Sequence, residues 1–471
     1  MIEPGVLFSE EILNFQVSTL SNGTRAYINL DNAATTPPLR TVENRVRELL
    51  QSYGSVHRGA GEKSIISTLA FEESREVIRK FIGASQDTYV VFTGNTTVGM
   101  NMLAHYFSQL EGKIAVSKIE HSSSWLPWVV AEGHRSAGKR CAFMDDLECY
   151  NENVQALGRN QVIRYDLNDR NDFDLNSIES ILSEQPVKAI VITASSNLTG
   201  YVPNIREISS LAHKYRAYVV VDGCQFIQHH RINMVECGID FLIASGHKFY
   251  APYGAGFIAG PKSFFDSFLP YQIGGGNLPY IDTSERFYRY QSERAHEPGT
   301  PNTVGAVSMA VALQELDSIG IEKIEAYESD LTRRAFLGIK DNPRVRVLVR
   351  EDSLTTVLPF IILDMDPHMA ARRLNDEYGI GVRAGTFCMF DSIRNLLGIQ
   401  SDDDIVAELQ AGRQSSIPGI LRASFSIVNS YDDVDNFVMA VNQLAGSHCE
   451  VSTSGEDIYS GSINQPEAHA I

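Results

Sequence analysis

Asp222 closes a short β-branched run, Tyr218-Val219-Val220-Val221, and Lys248 follows a second apolar run over residues 239–244 through Ser245-Gly246-His247. Both runs read as buried strands. An acid and an amine are thus delivered at the carboxyl ends of two strands, the edge where open α/β sheets bind ligands. An enzyme built on pyridoxal phosphate needs that pair, a lysine for the Schiff base and an acid for the pyridinium nitrogen. For a lone Asp and Lys, a strand-ending lysine near a solvated aspartate is the more ordinary reading. The other strand ends decide the matter.

Thr93-Gly94-Asn95-Thr96-Thr97-Val98-Gly99 lies between a strand pattern and a helix pattern. Small and hydroxyl residues there expose backbone N–H groups at a helix start, a ready anion site, although such loops are also common caps. Glu120-His121 follows the strand at 114–116, and Asn197 and Gly200 follow the strand at 187–193. Successive strands therefore end in polar groups on one edge of one sheet. Scattered core residues would not do that.

The elements that must position these groups follow from periodicity. Strands are expected at 27–30, 90–92, 114–116, 187–193, 218–222 and 239–244, and helices at 40–53, 67–82, 98–107, 175–183 and 205–215. In the second helix Leu69, Val77, Ile78 and Phe81 are expected to share a face. Such alternation predicts an α/β fold, a mostly parallel central sheet flanked by helices. After Pro301 come a helix at 306–319, a strand at 358–363, a helix at 367–378, an apolar run at 421–427 and a helix at 433–444. They predict a smaller α+β domain. The expected division is a large domain over 31–305, a small domain from 1–30 and 306–445, with Ile12, Leu13 and Phe15 as anchors, and a disordered tail at 446–471 that is rich in Ser, Gly and acid.

Composition narrows the partners. A chain of 471 residues with 43% hydrophobic content buries a sizeable core. With 40 Lys+Arg against 58 Asp+Glu, the formal charge of −18 disfavours nucleic acid and anionic membranes, so any basic site must be a local pocket. Cys141, Cys149, Cys224, Cys237, Cys388 and Cys449 are scattered without CxxC spacing, which argues against a metal site or a disulfide framework. The N-terminus has no signal-peptide pattern and no apolar run is long enough to span a bilayer. A cytoplasmic protein is expected.

LDNAATTPP, SVHRGAG, TTVGMN, IEHSSSWLPW, SSNLTG, VVDGCQ, SGHKFYAPYGAGF, EPGTPN, GVRAGTFC and LRASFS, spread from residue 30 to residue 426, resemble the motifs of fold-type I, class V pyridoxal-phosphate enzymes. The likeness is greatest to the type II cysteine desulfurases and selenocysteine lyases. The resemblance implies that Lys248 carries the cofactor and moves protons, that Asp222 pairs with the pyridinium nitrogen, and that Gln225 bonds the phenolate oxygen. His121 would stack on the ring and share in proton transfer. Thr96, Thr97, Ser245 and His247 would hold the phosphate. Thr300 would reach the cofactor of a neighbouring subunit, which implies a homodimer. Arg422 would bind the α-carboxylate of an amino-acid substrate, with Asn197 beside it at both cofactor and substrate and Arg383 nearby.

Cys388 sets the reaction. At the matching position a desulfurase cysteine attacks the sulfur of bound cysteine, giving alanine and an enzyme persulfide for a sulfur-acceptor protein. Arg383 is a cation near enough in sequence to favour the thiolate. A free cysteine also serves as a small packing residue, which is the reading for Cys224. The chain departs from the family at Thr386-Phe387, where a His-His pair is usual, and in a longer segment between Cys388 and Arg422 that could form a lid. The same cofactor residues would serve an aminotransferase, an epimerase or a C–S lyase acting on a different amino acid.

Overall fold

The computed structural model describes residues 15–20, 23–136, 161–168, 173–401, 403–410 and 417–446. The anchors Ile12 and Leu13, Cys141, Cys149 and Cys449, and the tail from residue 447 lie outside the described residues. Two strands, β1 (Gln16–Thr19) and β2 (Gly23–Ala26), pair antiparallel and lead to β3 (Ile28–Asn29).

Seven strands then build the main sheet: β4 (Thr88–Thr93), β5 (Lys113–Ser117), β6 (Val162–Tyr165), β7 (Val187–Thr193), β8 (Tyr218–Asp222), β9 (Phe241–Ser245) and β10 (Gly256–Pro261). Their order is β4-β10-β9-β8-β7-β5-β6. The strands from β9 to β6 are parallel, and β10 runs antiparallel to both its neighbours. Every residue of β7 and β9 is buried, as strands covered on both faces must be. Even Lys188 in β7 is sealed in, because its ammonium meets Glu132 at 2.6 Å.

The expected mostly parallel α/β sheet is present, with β6 and β10 as additions to it. β10, which is not among the expected strands, carries two glycines and a proline among its residues, residue types that weaken a strand signal. A Cβ on Gly256 would lie 2.6 Å from the Ala244 carbonyl oxygen, so glycine is what lets β10 close on β9.

Helices cover both faces: α1 (Arg40–Gln51), α2 (Glu62–Phe81), α3 (Thr96–Phe107), α4 (Ser122–Ser136), α5 (Leu175–Glu184) and α6 (Ile205–Lys214). In α1 the buried Val42, Val46 and Leu49 recur at helical spacing. Phe71, Arg75 and Ile78 form the buried stripe of α2. Leu69, expected on that face, lies around the helix from Phe71 and is 56% exposed, like its neighbours Ile65 and Ile66. The proline at 127 made α4 unreadable as a helix.

α7 (Thr303–Ile319) packs across α1 and α2, and its Met309, Leu313 and Leu316 join the large core. At Gly320, whose φ is +96°, the chain bends by 81° into α8 (Ile321–Ile339). Ile321 and Ile324 still belong to the large core, which therefore reaches past residue 305.

A short exposed hairpin of β11 (Tyr280–Ile281) and β12 (Phe287–Tyr288) precedes α7. The second sheet follows with β13 (Val345–Val347), β14 (Val357–Ile362), β16 (Arg383–Gly385) and β17 (Ile420–Ser424), while β15 (Ile380–Gly381) pairs with β3 in parallel. The second sheet is antiparallel in the order β13-β14-β17-β16. Its core joins Ile28 and Leu30 to residues of α8, α9 (Pro367–Tyr378) and α12 (Tyr431–Gly446). The long segment after Cys388 forms α10 (Phe390–Leu397) and α11 (Asp403–Gln410).

A buried ion pair ties α2 to the loop that carries Thr300. Arg75 lies over the adjoining rings of Phe71 and Phe92 and grips Glu297 with two N–H groups, at 2.8 and 3.0 Å. Glu297 also accepts the Phe92 N–H at 2.7 Å. Glu297→Gln leaves a buried guanidinium without its main counter-charge and should lower the unfolding free energy by about 3 kcal/mol in urea titration.

Candidate active site

The parallel strands point their carboxyl ends at one edge, and the expected residues gather there. Lys248 follows β9 through a single tight turn, Gly246–Lys248. Its Nζ donates to the carbonyls of Ala33 at 2.6 Å and Ala34 at 2.8 Å. Burial, helped by the Arg422 charge, pushes the Lys248 pKa down to about 8 against the pull of Cys224, Asp222 and Asp31. At pH 7 about one in ten such amines is neutral, against a tiny fraction for an ordinary lysine.

Asp222 ends β8 with 6% exposure. One carboxylate oxygen accepts the Cys224 N–H at 3.0 Å and the other accepts the Ser124 hydroxyl. Gln225 donates its amide N–H to the Ala33 carbonyl at 2.7 Å, the same oxygen that Lys248 uses. His121 accepts the Ser123 N–H on Nδ1 at 3.1 Å, so the neutral ring carries its proton on Nε2. Burial holds its pKa below the ordinary value, with Lys248 and Arg422 adding to the effect and Asp222 opposing it. Behind His121, the Glu120 carboxylate accepts the Ser117 hydroxyl and the Thr193 N–H and braces β5 to β7.

At the start of α3 the Thr96 N–H donates to the Ser245 hydroxyl at 2.8 Å, and the Thr96 hydroxyl lies between Ser245 and the Cys224 sulfur. Thr97 is exposed and donates to Ser123 at 2.8 Å. Asn95 caps α3 by accepting the Val98 N–H. Burial, then Lys248, pushes the His247 pKa down to about 4. The His247 carbonyl accepts the N–H of Thr36 and the hydroxyls of Thr35 and Thr36.

Arg422, on β17 of the second sheet, enters from the opposite side. It is 1% exposed. Nη1 donates to the Asn197 carbonyl at 2.6 Å and Nη2 to Asp31 at 3.2 Å, while Nε is buried with no partner. Burial draws its pKa down to about 10, opposed by Asp31, so it stays charged at neutral pH. Arg383 sits directly opposite on β16, half exposed, 3.5 Å from the other Asp31 oxygen.

Cys388 is exposed and occupies a turn in which it and Phe387 both have positive φ, +58° and +54°. Two adjacent non-glycine residues in that region cost roughly 1–3 kcal/mol each. Side chains of the site hold the turn: Ser122 donates its N–H and hydroxyl to the Cys388 carbonyl at 3.0 and 2.9 Å, and Asn197 donates to the Phe387 carbonyl at 3.1 Å. The Phe387 ring lies 4.7 Å from the Arg422 guanidinium. α10, which follows, is pinned to the large sheet by Arg164–Asp391 at 2.9 Å.

Lys248, Asp222, Gln225, His121, Thr96, Ser245, Asn197 and Arg422 are thus brought together, with Thr97, His247, Arg383 and Cys388 at the rim. Thr300 is exposed in a separate cleft with Thr93, Gly94 and His296. Ser122, Ser124, Asp31 and the Ala33 carbonyl had no assigned role in the sequence, where their one signal was membership of the IEHSSSWLPW and LDNAATTPP stretches. The donor set fits pyridoxal phosphate. It offers a partly neutral buried amine, a buried carboxylate, an amide donor, a neutral imidazole, and hydroxyls at a helix start.

A family profile described as aminotransferase class-V matches residues 28–146 and 150–437, and the chain belongs to that family of pyridoxal-phosphate enzymes. A probable cysteine desulfurase of Mycolicibacterium paratuberculosis is 30% identical over 420 residues, 88% of this chain and 55% of that protein. One from Pyrococcus abyssi is 29% identical over 436 residues, 90% of this chain and 96% of that protein. The apo structure of a cysteine desulfurase from Thermococcus onnurineus has a TM-score of 0.74 at 27% identity, over 89% of this chain and 94% of that one. A cysteine desulfurase of Escherichia coli in its S-sulfonic acid form also has a TM-score of 0.74, at 25% identity over 94% and 98% of the two chains. The fold is that of the fold-type I enzymes. The chain spans 55% to 61% of the length of the first curated relatives it matches.

The depressed Lys248 pKa has a direct consequence. Capture of pyridoxal phosphate by the apoprotein needs the neutral amine, so its rate, read from visible absorbance, should rise with pH, reach half its maximum near pH 8 and level off by about pH 9. A rate still climbing above pH 9.5 would mean an ordinary lysine.

Proposed function

We propose that this class V enzyme is a cysteine desulfurase. It takes sulfur from L-cysteine, or selenium from selenocysteine, and leaves alanine and a persulfide (or its selenium counterpart) on Cys388. The observation that carries the reading is the Cys388 turn, bonded to Ser122 and Asn197 beside Arg422 and His121. The desulfurases among its relatives support the same reading.

Lys248, Asp222, Gln225, His121, Asn197 and the Thr96, Thr97, Ser245 and His247 group would hold the cofactor. Bound there, pyridoxal phosphate supplies an electron sink for cleavage next to the substrate's α-carbon. The planar fork of Arg422 suits the substrate α-carboxylate, and Arg383 adds positive charge at the same place. Lys248, with its pKa near 8, is matched to taking and returning protons at neutral pH. His121 presents a donor at Nε2. The Cys388 thiolate attacks the substrate sulfur; an S–S bond forms as the C–S bond breaks, and the carbon keeps the electron pair and gains a proton. The sum is L-cysteine plus thiol giving L-alanine plus persulfide, balanced without an external oxidant. A sulfur-acceptor protein would then take the exposed persulfide sulfur, and a reducing cytoplasmic setting would keep Cys388 a thiol beforehand.

A homodimer completes the reading, with Thr300 reaching the neighbouring cofactor. Exposed apolar side chains on adjoining helices support it: Leu50 on α1, and Ile65, Ile66 and Leu69 on α2.

Cys388→Ala should lower alanine formation from L-cysteine by about 100-fold or more while keeping the cofactor's absorbance, and mass spectrometry of the wild type should find the persulfide on Cys388. Undiminished alanine formation would instead favour transamination, epimerisation or C–S cleavage on another amino acid. Leu69→Glu should shift the protein toward monomer in sedimentation velocity; an unchanged dimer would place the interface elsewhere.

A further inference from the structure

Arg422 and Arg383 are cross-strand partners, and like charges so placed repel. Arg422 is also buried, which makes its charge costly without a counter-ion. Asp31 serves both. Its Oδ1 lies 3.2 Å from Arg422 Nη2 and its Oδ2 3.5 Å from Arg383 Nη1. One carboxylate oxygen thus faces each guanidinium.

The position of Asp31 is fixed by its backbone. Its N–H donates to Asn29 Oδ1 at 3.2 Å, its carbonyl accepts the Ala34 N–H at 3.0 Å, and a bridge joins it to Ser424 on β17. Arg422 is fixed as firmly. The Asn197 carbonyl holds Nη1, the Phe387 ring packs against the guanidinium, and Nε has no protein partner. Nη1 and Nη2 each carry a second N–H beyond these contacts, a pair of donors that a carboxylate can take as a bidentate ligand, and Asp31 holds Nη2 in place beside it.

We propose that Asp31 is a positioning residue for substrate selection: it holds Arg422 and Arg383 together as an aimed, charged pair, so that the site takes amino acids with a free α-carboxylate. The inference rests on the proposed function only in requiring an amino acid bound at Lys248, whichever reaction follows.

The test uses the holoenzyme and the visible-absorbance change on adding L-alanine or L-alaninamide, which differ in the carboxylate. Asp31→Asn should weaken L-alanine binding by about tenfold or more and leave alaninamide within about threefold. Asp31→Glu, which keeps the charge, should recover most of the L-alanine affinity. Equal losses for both ligands would reduce Asp31 to a structural residue, and tighter L-alanine binding would make it a competitor for the site; either result overturns the proposal. If Asp31→Asn does not fold, Arg383→Gln on the half-exposed β16 tests the same pairing. It should cost about threefold for L-alanine and nothing for alaninamide, and equal effects would overturn the proposal. A wild-type spectrum indifferent to L-alanine would overturn the amino-acid reading and this inference together. Full alanine formation by Cys388→Ala would sink the desulfurase reading while leaving the Asp31 contrast standing.

Discussion

The turn over residues 31–36 sets the geometry of everything around it. Its Ala33 and Ala34 carbonyls take the Lys248 ammonium, and Ala33 takes the Gln225 amide as well. Thr35 and Thr36 hold the His247 carbonyl from the same turn. On its other side the Asp31 carboxylate meets Arg422 and Arg383, and Asn32 donates to Ser424 and Asn429 from a buried position. Buried polar groups are costly unless each finds a partner. Here the partners come from both sheets, so satisfying the turn fixes the lysine of one sheet against the arginine of the other.

The Cys388 turn is built on the same principle with strain added. Two left-handed residues persist there because several groups over-determine them: Ser122 and Asn197 on the carbonyls, and Phe387 buried beside Leu198, Met389, Ile393 and Ile420. In the proposed reaction the Cys388 thiol gains from such fixing, since a reacting group already in place needs no ordering during the reaction. Phe387 links the two devices. Its ring packs against Arg422, so the residue beside the cysteine also shapes the arginine's surroundings.

Electrostatics sets the site apart from the rest of the chain. The chain carries a formal charge of −18, yet Lys248, Arg422 and Arg383 gather at one edge. A ligand's carboxylate therefore meets a local positive pocket on a chain of acidic balance. Burial makes the pocket sensitive: it lowers the Lys248 pKa to about 8 and that of Arg422 to about 10. Asp31 and Asp222 offset part of that cost. Removing one such charge alters its neighbours' protonation as well as its own contacts.

The amino-acid sequence by itself determined the α/β class, the strands that end at Asp222 and Ser245, and the motifs that place Lys248, His121 and Arg422 at one site. Those signals are local: apolar runs of strand length, and polar groups at their ends. It could not show β10, whose glycines and proline weaken the strand signal and whose Gly256 packs against Ala244. Nor could it show that Leu69 faces outward, because either side of α2 looks apolar at that position. The Asp31 pairing with Arg422 and Arg383 joins residues more than 350 positions apart. Only the tertiary structure decided it, because β-sheet register sets which distant side chains stand opposite one another.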